Sequence, residues 1–205
     1  LLQQFHDIIP GSSITWVYDD AEAAHERVAA RLEELIAQAL ARIVPGPSLA
    51  NAAGRARREV VVSAEAPDGD GPRQTLSDGR TAFVVDVPAF GTAPLHARAC
   101  TDAVSVTEHS FTNGSLAVSW DLDGTITSII DVRAARELLP PGEHVRLEMA
   151  PDHPIEYDAW DLEAWTRGLG QEVAGVTDVQ VVESGPLLAT LRVRRSFGHS
   201  TMVQD

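Results

Sequence analysis

The chain has 205 residues, of which 44% are hydrophobic and 22% are charged, ordinary proportions for a folded globular protein. Its 30 acidic residues outnumber its 16 basic residues, so the formal net charge is −14. This excess of negative charge argues against nucleic acid and against a membrane as partners, because their anionic surfaces bind basic proteins. Cys100 is the only cysteine, which excludes an internal disulfide and a Cys-rich zinc module and favours a reducing, cytoplasmic location.

Membrane and secretory signals are missing from the sequence. No run approaches the roughly 20 apolar residues that a membrane-spanning helix needs. Residues 1–20 also lack the basic and then apolar pattern of a signal peptide. The chain starts with Leu1 rather than Met, and we therefore expect it to be a piece of a longer protein.

The first predicted element is one long helix. Between residues 13 and 44 the apolar residues recur at steps of three and four, which is the periodicity of an amphipathic helix. Ser12 or Ser13 is the expected N-cap, and a Pro-Gly-Pro sequence at 45–47 ends the helix. A helix of this length with a single apolar stripe needs partner helices, so residues 1–45 are predicted to be the end of a three-helix-bundle domain.

A predicted linker at residues 46–57 separates this helix from a region of short β-rich runs with turn residues between them. Asn113-Gly114 and Asp123-Gly124 are the clearest turn signals, and the second is the expected turn of a tight hairpin. The whole pattern predicts a mainly β chain in which residues 58–205 form an antiparallel β-sandwich, truncated at its C-terminus. Strands are predicted at 59–65, 81–87, 103–108, 115–121, 125–131, 144–149, 177–183, 187–195 and 200–204.

Two stretches carry side chains with potential chemistry. His6-Asp7 offers an imidazole that ligates a metal when it is neutral and a carboxylate that accepts a metal, a sugar hydroxyl or a proton. Residues 156–165 combine acids with aromatic rings, the residue types that bind the hydroxyls and the apolar face of a sugar. The alternatives are ordinary surface or satisfied core residues for the first stretch and, for the second, a loop or short helix whose two tryptophans plug the sandwich. The sequence contains no complete catalytic set, so no catalytic residue is assigned.

The segment QFHDIIPGSSITWVY is followed along the chain by VVDVPAFG, YDAWDL and STMVQ, among other stretches. In this order they resemble class II α-mannosidases, a zinc-containing family of retaining glycoside hydrolases. QFHDIIPGSSITWVY resembles the segment that carries a zinc-ligating His and opens a long helix behind the catalytic barrel of that family. The remaining stretches resemble the β-sandwich that follows, and they are VVDVPAFG, FTNGSLAVSWDLDGTITSIIDVRAARELL, YDAWDL and VVESGPLLATLRV followed by STMVQ.

The resemblance implies an enzyme that hydrolyses terminal α-mannosides of mannose-containing oligosaccharides with retention of configuration. It implies that His6 ligates zinc or another divalent metal and that Asp7 lies against the sugar hydroxyls. In the family the nucleophile, the acid and the other ligands belong to the barrel, so the 205 residues alone are expected to be inactive and nearly free of zinc. YDAWDL resembles a WDAWD stretch, but Tyr157 stands where Trp is expected, and the loop therefore receives no ligand role.

Two other interpretations remain open. A non-catalytic carbohydrate-binding or interaction module would use the sandwich and residues 156–165 to bind its partner. A structural scaffold would use the apolar stripe of the helix to form a homo-oligomer.

Overall fold

The computed structural model describes residues 2–44, 46–157 and 160–205. Strands hold 36% of the residues and helices 18%, which confirms a mainly β chain with one long helix. The chain divides into two compact units, one of Leu1–Ile43 with Leu147–Glu172 and one of Val44–Arg146 with Val173–Asp205. The predicted domain boundaries at residues 45 and 57 stay predictions, and Pro45 lies outside the described residues.

The helix α1 extends over Thr15–Ile43, and short 3₁₀ helices form at Leu2–Gln4 and Ala164–Leu169. The strand bounds are β1 Ser48–Asn51, β2 Arg57–Ser63, β3 Arg73–Thr75, β4 Thr81–Val87, β5 Gly91–Pro94, β6 Ser105–Val106, β7 Ser110–Thr112, β8 Leu116–Trp120, β9 Ile126–Asp131, β10 Arg136–Glu137, β11 Glu148–Met149, β12 Gln171–Glu172, β13 Val176–Ser184, β14 Ala189–Phe197 and β15 Ser200–Gln204. Neighbouring strands among those given above pair antiparallel, as expected for a β-sandwich.

The first unit contains α1, which matches the predicted helix to within two residues at its start and one at its end. Ala21 is its buried residue, whereas the apolar stripe along the rest of the helix is exposed to solvent. That stripe consists of Val28, Leu32, Leu35, Ile36, Leu40 and Ile43. Its spacing of three and four residues fits the predicted bundle, which stays a prediction. No helix among the described residues has the length and apolarity to cross a membrane.

The second unit has its core around β4, the central strand of the sheet ordered β2-β4-β3. Successive side chains of a strand point to opposite faces, and both faces of β4 are covered. Phe83, with Val85 and Val87, packs on Ala97, while Ala82 and Val84 pack in a cluster with Leu76 and Leu187. The strand predicted at 81–87 is thus confirmed, and its apolar residues from Ala82 to Val85, with Val87, are buried while Asp86 is exposed.

Both predicted turns are confirmed. Asp123-Gly124 joins β8 to β9, and Gly124 has φ +70°, a conformation that glycine adopts without steric cost. Asn113-Gly114 joins β7 to β8, and the Asn113 side-chain oxygen accepts hydrogen bonds from the Ser115 and Leu116 N–H groups at 2.8 Å each. These side-chain bonds are the reason that Asn and Asp favour such turns.

Several short strands differ from the prediction. β1, which lies in the stretch expected to be a linker, pairs with β5. The predicted strands at 103–108 and 144–149 shorten to the two-residue strands β6 and β11. Short strands at sheet edges depend on the partner that the tertiary fold supplies, and their own residues hold little information about it.

Candidate functional site

His6 and Asp7 lie together on the surface of the first unit, just before α1. The His6 Nε2 atom is 3.6 Å from the Asp7 carboxylate oxygen Oδ1. The two side chains are 66% and 54% exposed. Both groups are therefore open to a ligand, and they are close enough to act on the same one.

The backbone around this pair is held by hydrogen bonds to the start of the helix. The Asp7 carbonyl accepts a hydrogen bond from the Tyr18 hydroxyl at 3.3 Å, and that hydroxyl accepts one from the Ser13 N–H at 2.9 Å. The Ser12 hydroxyl, expected as one of two N-caps, makes a longer contact of 3.5 Å with the same carbonyl. The first turn of α1 thus fixes the position of the His6-Asp7 backbone.

Trp160 contacts the same place from 148 residues further along the chain. Its indole N–H donates a hydrogen bond of 2.9 Å to the Ser12 hydroxyl. Its ring lies 6.3 Å from the His6 ring, centre to centre, at an angle of 55°, and the Phe5 ring lies 4.1 Å from His6. An exposed indole, an imidazole and a carboxylate therefore share one surface of this unit.

The turn that leads to Trp160 has an unusual backbone. Tyr157 has φ +57°, a left-handed conformation that is sterically unfavourable for an aromatic residue. Its carbonyl accepts hydrogen bonds from the N–H groups of Trp160 at 2.9 Å and of Asp161 at 3.1 Å. Asp158 and Ala159, which belong to the YDAWDL stretch, lie outside the described residues.

One further acidic side chain, Glu137 on β10, has a strongly shifted pKa. The Ser128 hydroxyl and the N–H groups of Leu139, Ile129 and Leu138 donate hydrogen bonds to its carboxylate and lower its pKa to about 2. Two of these donors belong to β9 and two to the chain directly after β10, so the carboxylate links these two segments at one edge of the sheet. We therefore assign Glu137 to the fold and not to a functional site.

Comparison with known proteins decides the family. Residues 1–43 match the model of the alpha mannosidase middle domain, and residues 111–205 match that of the glycosyl hydrolases family 38 C-terminal domain. The chain belongs to the family 38 α-mannosidases. Its curated relatives include Alpha-mannosidase 2C1 of Homo sapiens, 28% identical over 171 residues, and of Mus musculus, 29% identical over 180 residues. Each comparison covers 79% of this chain but only 16% of the relative, so the chain spans about a sixth of their length.

In this family 38 chain Trp160, from the acidic and aromatic stretch, lies beside His6 on one surface. His6 and Asp7 lie in the part that matches the middle domain, and Trp160 lies in the part that matches the C-terminal domain. The interpretation of the tryptophans as plugs of the sandwich is wrong for Trp160 and Trp165, which are 54% and 46% exposed. No sequence pattern near His6 predicted that Trp160 lies beside it, because the contact depends on the turn at Tyr157, far along the chain from residue 6.

The residues present fit part of a metal site. His6 has the chemistry of a single ligand, and the Asp7 carboxylate stands next to it. A catalytic zinc needs three or more protein ligands. Among residues 2–44, 46–157 and 160–205, no group of three or more His, Cys, Asp or Glu side chains is placed to hold a metal ion.

Proposed function

We propose that this chain is part of an α-mannosidase that hydrolyses terminal α-mannosides of mannose-containing oligosaccharides with retention. The observation that carries the proposal is the exposed His6-Asp7 pair just before α1, inside the stretch that matches the alpha mannosidase middle domain. The relatives named Alpha-mannosidase 2C1 support the substrate class. The chain supplies a metal ligand and the supporting β-sandwich, and the isolated 205 residues are inactive.

In this proposal His6 is one ligand of zinc or another divalent metal, which when bound would hold the sugar hydroxyls. Asp7 accepts hydrogen bonds from those hydroxyls, and its distance of 3.6 Å from His6 allows both side chains to face the same ligand. Retention requires two carboxyl groups about 5 Å apart, one as nucleophile and one as acid and base. Both of these carboxyl groups, and the remaining metal ligands, belong to the full-length protein outside this chain.

His6→Ala in the full-length protein tests this assignment. Mutation of a residue that only hydrogen-bonds a metal ligand lowers activity by about 10- to 100-fold. Removal of a ligand itself should have a larger effect, so we expect the rate of hydrolysis of an aryl α-mannoside to fall by at least about 100-fold. Bound zinc, measured by elemental analysis of the purified protein, should fall in parallel. His25→Ala, in an exposed position of α1, is the matched control and should retain both activity and metal.

Two results would contradict the proposal at different levels. A wild-type protein that hydrolyses no α-mannoside would remove the enzymatic function. An active His6→Ala protein with the metal content of His25→Ala would remove the ligand role of His6 alone.

A non-catalytic carbohydrate-binding module is the second candidate, and the exposed indole of Trp160 favours it. It predicts that the full-length wild type binds mannose without hydrolysing the aryl α-mannoside. The same assay therefore separates the two functions.

Location and assembly are also proposals. The single Cys100 supports a cytoplasmic location, because disulfides are rare in that compartment. The net charge of −14 supports the absence of nucleic-acid and membrane partners. The exposed apolar stripe of α1 supports self-association into a homo-oligomer wherever partner helices do not cover it.

A further inference from the structure

We propose that Trp160 is a sugar-binding residue of the same site as His6 and Asp7, with its indole face packed on the apolar face of a mannose ring. The inference rests on the proposed function and extends it to a residue for which the family resemblance gave no role. Its basis is the meeting of the Trp160, His6 and Asp7 side chains on one exposed surface.

The hydrogen bond to Ser12 orients the indole. Because its N–H is donated to the Ser12 hydroxyl at 2.9 Å, the polar edge of the ring is turned toward the segment that carries His6. The side chain nevertheless stays 54% exposed. The part of the Trp160 indole that a ligand can contact is therefore mainly its carbon surface, which is held in one orientation next to the His6 imidazole.

A pyranose ring matches this combination of groups. Its hydroxyls are hydrogen-bond donors that a carboxylate such as Asp7 accepts, and its C–H groups form an apolar face that an aromatic ring covers. The ring centres of His6 and Trp160 are 6.3 Å apart, the distance of neighbouring rings, so a ligand on their common exposed side is within reach of both. One mannose unit can thus touch the indole and the His6-Asp7 pair together.

Comparison with Trp120 argues against a purely structural role. Trp120 is 4% exposed and packs edge-on against Phe111 with ring centres 4.5 Å apart, which is how a tryptophan serves a core. Trp160 instead stays exposed after a turn in which Tyr157 adopts a left-handed backbone. Strained backbone of this kind persists where the surrounding structure enforces it and is concentrated at ligand sites.

The test compares Trp160→Ala with Trp165→Ala in the full-length protein. Trp165 is a matched control because it is exposed and belongs to the neighbouring 3₁₀ helix Ala164–Leu169. We expect Trp160→Ala to raise KM for an aryl α-mannoside about tenfold, the effect of losing one aromatic contact, with a smaller change in kcat. Trp165→Ala should keep the wild-type values.

Binding is measured independently of hydrolysis by saturation-transfer NMR with methyl α-mannoside. Transfer to the sugar ring protons should be strong for the wild type and for Trp160→Phe, which keeps a flat ring, and weak for Trp160→Leu. This pair of variants compares a flat ring with apolar volume alone, and it keeps the proposal testable where Trp160→Ala fails to fold.

The outcomes of the two measurements are distinguishable. An active wild type in which Trp160→Leu binds methyl α-mannoside as well as Trp160→Phe overturns the inference and leaves the proposed function standing. An inactive wild type that binds the sugar through Trp160 overturns the enzymatic function and supports the inference. A wild type that neither hydrolyses nor binds mannosides overturns both.

Discussion

At the scale of single residues, hydrogen bonds decide which acidic side chains serve the fold and which stay free for a ligand. The Glu137 carboxylate accepts bonds from Ser128 and from three backbone N–H groups, so its acceptor capacity is used within the protein. The Asp7 side chain is more than half exposed, and it is the backbone carbonyl of Asp7 that is bound to Tyr18. The same functional group is thus structural at one position and available to a ligand at the other.

Glu137→Gln is predicted to change the acid stability of the chain. The carboxyl has an ordinary pKa of 4.5, which the fold lowers to about 2. A lowered folded-state pKa gives stability that is complete above pH 4.5 and is lost as the pH falls through that window toward about 2. Urea unfolding should therefore show a shallower loss of stability over this window in Glu137→Gln than in the wild type.

Glu65→Gln, a change at an exposed position on the chain after β2, is the control and should follow the wild-type curve. Identical curves for Glu137→Gln and the wild type would mean that Ser128 and the backbone donors do not hold the Glu137 carboxylate in its ionised form.

At the scale of elements, local sequence explains the hairpins well. Asp121 directly follows β8, and its Oδ1 atom accepts hydrogen bonds from the N–H groups of Asp123 at 3.0 Å and Thr125 at 2.9 Å. Together with the positive φ of Gly124, these bonds close the turn between β8 and β9. The turn therefore depends on side chains that are adjacent in sequence.

Asp121→Ala should weaken this hairpin. Removal of a side chain that satisfies two backbone N–H groups is expected to cost about 1–2 kcal/mol in the free energy of unfolding. Hydrogen exchange of the β8 and β9 amides should accelerate accordingly. Asp123→Ala, an exposed position of the same turn, is the control, and equal acceleration in both variants would show that the Asp121 bonds do not hold the turn.

At the scale of the whole molecule, the chain order and the compact units do not coincide. The segment Leu147–Glu172, which contains Trp160, interrupts the second unit in sequence and belongs to the unit of the helix. The second unit then continues with β13 to β15, and Leu187 from the turn between β13 and β14 packs in the cluster of Ala82 and Val84. The core of this unit is thus assembled from stretches about a hundred residues apart.

Phe83→Ala tests this core. The Phe83 side chain is fully buried at the centre of β4, so its truncation should cost about 3–5 kcal/mol in the free energy of unfolding. Phe90→Ala removes the same side chain at a position that is 78% exposed, and it should cost no more than about 0.5 kcal/mol. Equal urea midpoints for the two variants would contradict the placement of the core around β4.

The sequence by itself determined the elements whose information is local. The spacing of three and four in α1, the apolar run of β4 and the turn residues at Asn113 and Asp123 each fix a structure through neighbours in the chain. Family membership was recognisable for a similar reason, because it depends on the order of such stretches.

Only the tertiary structure decided what depends on distant partners. β1 and β5 exist because they pair with each other, and neither sequence stands out as a strand. In the same way, Gln4-Phe5-His6-Asp7 showed a candidate ligand pair, but nothing near it indicated that Trp160 lies beside it. A contact across 148 residues depends on how the turn at Tyr157 and the start of α1 are folded together, and no local pattern of residue types encodes that.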